Sequence, residues 1–419
     1  MSKKKIINPR RSFLKNTVKA SLVGAAAAGF PHIWMKQGNV YAANKEIKVG
    51  VLFSLTGGLA IIEESLNKAT IMAIEEINAA GGVNGMKLKP VVADPASDPA
   101  TFAAKARTLI MKDKCVTVFG SYTSASRKAV LPVFEKRNNL YFYPTLYEGR
   151  ECSKNVIYTG AVPNQQQDEF VPYLVEKYGK RWSLIGSNYI YPKEENNYCK
   201  ILLKKLGCEV LMEEYVPLGH SEFSSVCNKF KNDKPNVIFS TVVGDSVVAL
   251  HKQYRAAGLN PDNMPMCSLT TSENEVAAMG GDAAAGHLTS APYFMVHQSP
   301  ENEKFVSSYL KRWGADKVTH FVSEPAYFGV YIFKQALEKI GSGDITPTTI
   351  MEATKGQEMI APQGKIRIDP DNLHTYLWPK IGICKSDGQF DIIKKTDSWL
   401  KPLPYAAYPD QTCTEKGLV

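Results

Sequence analysis

Closely spaced cysteines are missing from this 419-residue chain. Its eight cysteines, at positions 115, 152, 199, 208, 227, 267, 384 and 413, form no C-x-x-C pair and lack the spacing of a small disulfide scaffold. Up to four bridges are possible in an oxidising compartment, but the expected state is that of buried thiols acting as small apolar side chains. The seven histidines show no i, i+4 pairing and none lies at ligand spacing from a cysteine, so no metal site is expected. Gly57 and Gly58 are adjacent, with no G-x-G-x-x-G and no Walker lysine, which argues for a tight turn over a cleft rather than a dinucleotide or phosphate cradle. There is no G-x-S-x-G elbow and no paired Cys and His, so the activated nucleophile of an amide hydrolase is absent as well. No cofactor and no enzymatic activity are expected.

An excess of charge of one sign is also lacking once the chain is divided. The whole sequence carries 50 Lys+Arg against 41 Asp+Glu, but residues 1–43 hold eight of the basic residues and none of the acidic ones. The remainder is 42 against 41, and a nucleic-acid partner, which would need a basic face, is not expected. The basic segment reads N-P-R-R-S-F-L-K, then a weakly apolar stretch over residues 20–34, then V-Y-A-A. About 15 alanine-rich residues fall short of the ~20 that span a bilayer. Arg10 and Arg11 before Ser12-Phe13-Leu14 resemble a twin-arginine export signal, and the small residues near Ala42 and Ala43 suit a signal peptidase. The expectation is a leader over 1–43 and a soluble periplasmic protein.

What is present is a repeating alternation of apolar strands and amphipathic helices. Strands are predicted over 47–53, 87–93, 116–119, 140–143, 182–185, 237–240, 266–269 and 288–291, with helices between them. The stretch before 116–119 ends M-K-D-K and the stretch before 237–240 ends K-N-D-K, a faint duplication that points to two lobes of one βα design. After residue 360 the pattern changes to alternating runs separated by Asp-Gly and Pro turns, read as an added β segment on the second lobe. The tail after Trp399 has no periodicity.

Ligands of parallel α/β sheets sit outside the carboxyl ends of the strands. Those ends are rich in hydroxyls here: S-Y-T-S after residue 120, P-T-L-Y-E-G after Tyr143, S-N-Y-I-Y-P after Gly186 and T-T-S-E after Leu269. Any one tyrosine is more often a half-buried packing residue with one wet end. The cluster is the signal. Ser272, with Glu275 three residues on, reads as a helix cap.

The runs G-S-Y-T-S-A-S-R-K-A-V-L-P-V, Y-P-T-L-Y-E-G, N-V-I-Y-T-G-A-V-P-N-Q and G-S-N-Y-I-Y-P resemble the urea and short-chain-amide binding proteins. These are periplasmic solute-binding components of ABC transporters, with a sister branch that senses amides for amidase operons. The likeness runs from Lys45 to about Pro404. It implies the type I periplasmic binding protein fold: α/β, with two doubly wound Rossmann-like lobes joined by a hinge. The first lobe would comprise 44–163 and 291–360, the second 164–290 and 361–405, with 406–419 a tail. By the same resemblance, ligand-binding roles fall on Ser124, Tyr143, Thr145, Tyr189, Tyr191 and Thr271, with Tyr122 and Tyr147 as walls. Urea-transport members have tryptophan at the place of Tyr122, and here the sequence is closer to the amide sensors.

The expected solute is urea or a short aliphatic amide, neutral and small, which hydroxyls able to give and take suit well. The expected partner is an ABC permease in the inner membrane. Glu148 and Glu273 keep open a branched-chain or other amino acid as ligand, since an ammonium needs a fixed anion. A sensor that binds a regulator is the remaining alternative.

Overall fold

The computed structural model describes residues 46–413, so the leader assigned to residues 1–43 lies outside the described residues. Five strands form a first sheet: β1 (Glu46–Leu52), β2 (Lys87–Ala93), β3 (Thr117–Gly120), β4 (Leu140–Tyr143) and β5 (Val156–Tyr158). They are ordered β2-β1-β3-β4-β5 and every neighbouring pair is parallel. The next five, β6 (Arg181–Ser187), β7 (Glu209–Val216), β8 (Val237–Thr241), β9 (Met266–Ser268) and β10 (Leu288–Ala291), wind in the same sense as β7-β6-β8-β9-β10. The duplication noted in the sequence is therefore a repeated doubly wound topology, each copy reversing strand order at its third strand. Strands β3, β4 and β8 are buried at every residue, as parallel strands covered by helices on both faces must be.

The late β segment divides in two. Strands β11 (Glu358–Ala361), β12 (Gly364–Ile368) and β13 (Thr375–Tyr376) form a small antiparallel sheet of their own, and His374 beside β13 bridges to Tyr158 at the end of the first sheet. Only β14 (Lys380–Cys384) and β15 (Phe390–Lys395) extend the second sheet, antiparallel at its β10 edge.

Helix starts follow local chemistry. Asp98 accepts the Thr101 N–H at 2.7 Å, with Pro99 in the first turn of the Pro99–Met111 helix. Thr123 accepts the Ser126 N–H at 3.1 Å and opens the Ser124–Arg137 helix. The predicted box is also present, with Glu275 accepting the Ser272 N–H at 2.9 Å.

The cysteines depart from expectation at one pair. Cys152 and Cys413 are joined across 261 residues, with Cα atoms 5.5 Å apart, while the other six are free thiols. Sequence spacing gave no hint, because the tail returns from far along the chain to lie on the loop after β4. The Arg150 N–H donates to Pro404 O at 2.6 Å, and a Cβ at Gly149, whose φ is +71°, would lie 2.0 Å from that same oxygen. On the other side Tyr408 donates to Glu194 at 2.8 Å, and Arg150 pairs with Glu194. Replacing Cys152 and Cys413 together by serine should lower the unfolding free energy by about 2–5 kcal/mol in denaturant titrations. An unchanged midpoint under oxidising conditions would show that the tail is held without the bridge.

Candidate functional site

The carboxyl ends of both parallel sheets converge on one small cavity. On the first side β3 delivers Tyr122 and Ser124, and β4 delivers Thr145 and Leu146. On the second side β6 delivers Tyr189 and Tyr191, β8 Val243 and β9 Thr270. The turn after β3 is tight. A Cβ at Gly120 would sit 2.5 Å from Leu52 O, and Ser121 takes φ +58° so that Thr123 can cap the next helix. Ser124 thereby stands in that helix's first turn, where backbone N–H groups have no acceptor within the helix.

Of the eight residues singled out in the sequence, Tyr122, Ser124, Thr145, Tyr189 and Tyr191 line this cavity. Tyr143, Tyr147 and Thr271 do not. Tyr143 and Tyr147 belong to the aromatic cluster behind β4, where Tyr143 donates to Tyr122 O at 2.9 Å and Tyr147 donates to Glu151 O at 3.1 Å. Thr271 follows the lining residue Thr270, and its buried hydroxyl has no partner among the described residues. Leu146 and Val243 complete the wall, and nothing in their residue types marked them in advance.

Behind Ser124 lies a buried ion cluster. Arg127 is wholly buried: Nη2 meets Glu148 at 2.8 Å, Nε meets Glu151 at 2.9 Å and Nη1 donates to Ser124 Oγ at 2.8 Å. Its guanidinium lies over the Tyr147 ring at 4.2 Å and the Tyr143 ring at 5.1 Å. Lys128 adds a contact to Glu151 at 2.7 Å. Burial pushes the Glu151 carboxyl up, yet Arg127 and Lys128 outweigh it and hold it down at about 2. Helical periodicity sets Arg127 apart from the apolar stripe of Val130, Leu131, Val133 and Phe134 on its helix. The signal that could have shown its burial is Glu148 and Glu151 in Y-E-G-R-E, two carboxylates beside the same strand end.

Among the described residues, no charged side chain lines the cavity itself. Two acids of the second side are used locally: Glu273 accepts the Met295 N–H at 2.7 Å, and Glu275 caps its own helix. Three hydroxyls have spent their protons on protein acceptors. Thr145 donates to Ser121 O at 3.1 Å, Thr270 to Val242 O at 2.6 Å, and Ser124 to Glu148. Tyr191, 2% exposed, has a hydroxyl with no partner among the described residues.

The chain belongs to the family defined by the periplasmic binding protein domain, whose model matches residues 47–411. It is a periplasmic solute-binding receptor and not an enzyme. Among curated relatives, Leu/Ile/Val-binding protein homolog 6 of Brucella suis biovar 1 is 26% identical over 78% of this chain and 85% of its own length. The leucine-, isoleucine-, valine-, threonine-, and alanine-binding protein of Pseudomonas aeruginosa is 26% identical over 77% and 86%. The fold is shared with an ABC-transporter solute-binding protein from R. palustris solved with 4-hydroxybenzoate (TM-score 0.76, 22% identity, 85% of this chain and 98% of that one). It is shared equally with the branched-chain amino acid binding protein LivJ from Streptococcus pneumoniae, solved with isoleucine (TM-score 0.74, 20% identity, 85% and 100%).

One acid near the cleft gives a pH test. Glu63 is buried, with one oxygen accepting the Ser54 N–H at 2.7 Å and the other unpaired among the described residues. Burial raises its carboxyl to about 8. A raised folded value means that stability is present at low pH and is lost as pH climbs toward 8. Glu63→Gln should therefore gain stability relative to the native protein by on the order of 1 kcal/mol per pH unit between pH 5 and 8. Parallel stability profiles for the two proteins would contradict this assignment.

Proposed function

We propose that the protein captures urea or a short-chain aliphatic amide between its lobes and passes it to an ABC permease in the inner membrane. One observation carries the reading: the cavity is small and its lining offers hydroxyls and apolar atoms but no charge. A free amino acid would bring an ammonium and a carboxylate, each costly to bury without a partner. The carboxylate nearest the first wall, Glu148, is already taken by Arg127 and Ser124. A neutral amide needs only acceptors for its N–H groups and a donor for its carbonyl; Ser124, Thr145 and Thr270 supply the former, and Tyr191 is free to supply the latter.

The second reading, a branched-chain amino acid, is favoured by the names of the curated relatives at 26% identity. Calorimetry on the mature protein separates the two. The best tiny ligands gain at most about 1.5 kcal/mol per heavy atom, so urea or acetamide should bind at tens of micromolar, while leucine should not bind. Tyr191→Phe should weaken the amide by about 1–2 kcal/mol by removing a hydrogen-bond donor. Tight leucine binding without any response to amides would transfer the protein to the amino-acid reading.

Export by the twin-arginine route is part of the proposal, resting on Arg10 and Arg11. Changing both to lysine should leave full-length precursor in the cytoplasm, as seen by fractionation and blotting. Mature protein appearing in the periplasm at the native level would refute that route.

A further inference from the structure

Ser124 lies between two groups whose hydrogen-bonding sense cannot reverse. A guanidinium only donates and a carboxylate only accepts. Arg127 Nη1 donates to Ser124 Oγ at 2.8 Å, which occupies one lone pair, and the hydroxyl proton goes to Glu148 Oε2. The other Glu148 oxygen accepts from Arg127 Nη2 at 2.8 Å, so the three groups close a ring. Ser124 is 1% exposed and Arg127 0%, and water has little access with which to rearrange them. All that Ser124 Oγ retains for the cavity is one lone pair. Thr145 beside it has likewise given its proton to Ser121 O.

We propose that Arg127 and Glu148 are specificity-determining positioning residues: by fixing the Ser124 proton away from the cavity, they make this wall a hydrogen-bond acceptor and select solutes that bring N–H groups to it. The inference rests on the reading that Ser124 faces the bound solute. It goes further, because it assigns the selection to two residues that do not line the cavity. It also states the sign of the selection.

The test inverts the ring. In Glu148→Gln the amide oxygen must face Arg127 Nη2, which can only donate, so the amide NH₂ faces Ser124 Oγ. Ser124 then accepts from both neighbours and its proton is released toward the cavity. Arg127 keeps its ion pair with Glu151. Urea, acetamide and acetone have four heavy atoms each and differ in N–H donors, so their relative Kd values, read by calorimetry or competition, report the polarity of the wall. The native protein should prefer urea to acetone by tenfold or more, and Glu148→Gln should shrink that ratio about tenfold, an amount that one reversed hydrogen bond accounts for. In a Ser124→Ala background Glu148→Gln should leave the ratio unmoved, which a merely structural role would not produce.

A folded Glu148→Gln protein with the native ratio overturns the proposal, as does an equal shift in the Ser124→Ala background. If Glu148→Gln does not fold, Ser124→Ala alone decides: it should weaken urea at least several-fold more than acetone, and equal losses overturn the inference. If leucine binds in place of the amides, the comparison becomes leucine against 4-methylpentanoate, which lacks the ammonium. A ratio that shifts on that pair retains the polarity inference while the small-solute reading fails, and a ratio that stays fixed rejects both. A native protein that binds neither set also rejects both.

Discussion

The buried guanidinium of Arg127 is the interaction on which the first wall of the cleft depends. It touches the helix that starts at Ser124, the loop that carries Glu148 and Glu151, and the two tyrosine rings behind β4. A cation placed there without partners would be untenable, and removing one partner of such a pair typically costs about 3–5 kcal/mol. The loop from Thr145 to Glu151 is consequently held by charge as well as by packing. Thr145, at its start, inherits that rigidity. The tail reinforces the same loop from outside through Arg150, Pro404 and the Cys152–Cys413 bridge.

Topology then does for the whole cleft what Arg127 does for one wall. Two sheets with the same winding order present their carboxyl ends, and the turns after β3, β4, β6, β8 and β9 meet around one space. Neither half lines the space by itself. Each supplies aromatic side chains and hydroxyls to it. A cavity completed by both halves favours whichever arrangement of the lobes brings them together, so binding and closure are one equilibrium.

Much of this could be read from the residues, for identifiable reasons. Buried parallel strands are short continuous apolar runs, and β4 falls on the predicted residues for that reason. The three-residue β5 was visible only as part of a longer motif, because V-I-Y is too short to carry a period. The β7 strand is mostly half-buried at a sheet edge, with its short V-L-M run flanked by glutamates. At the site, the turns were legible but side-chain direction was not. Successive strand residues face opposite ways, so Phe142 joins one core and Tyr143 the other, and the register that decides which tyrosine reaches the cavity is set by the sheet. The burial of Arg127 is not legible in a helix pattern, which sorts residues by polarity; a buried cation announces itself only through its partner carboxylates, here Glu148 and Glu151 on another loop. The bridge to Cys413 is equally non-local.

The ion cluster also bears on what the cavity can hold. Two cations, Arg127 and Lys128, face two carboxylates, Glu148 and Glu151, and the formal charge behind Ser124 sums to zero. An ammonium placed at that wall would meet oriented lone pairs but no unpaired anion, and the Coulomb attraction that could offset its desolvation would already be spent within the protein. A neutral amide loses little on entering and meets the same lone pairs with its N–H groups. Strong charges are thus used to orient one hydroxyl while remaining hidden from the solute. On the proposed reading, this is how a receptor built from full charges comes to select a ligand that has none.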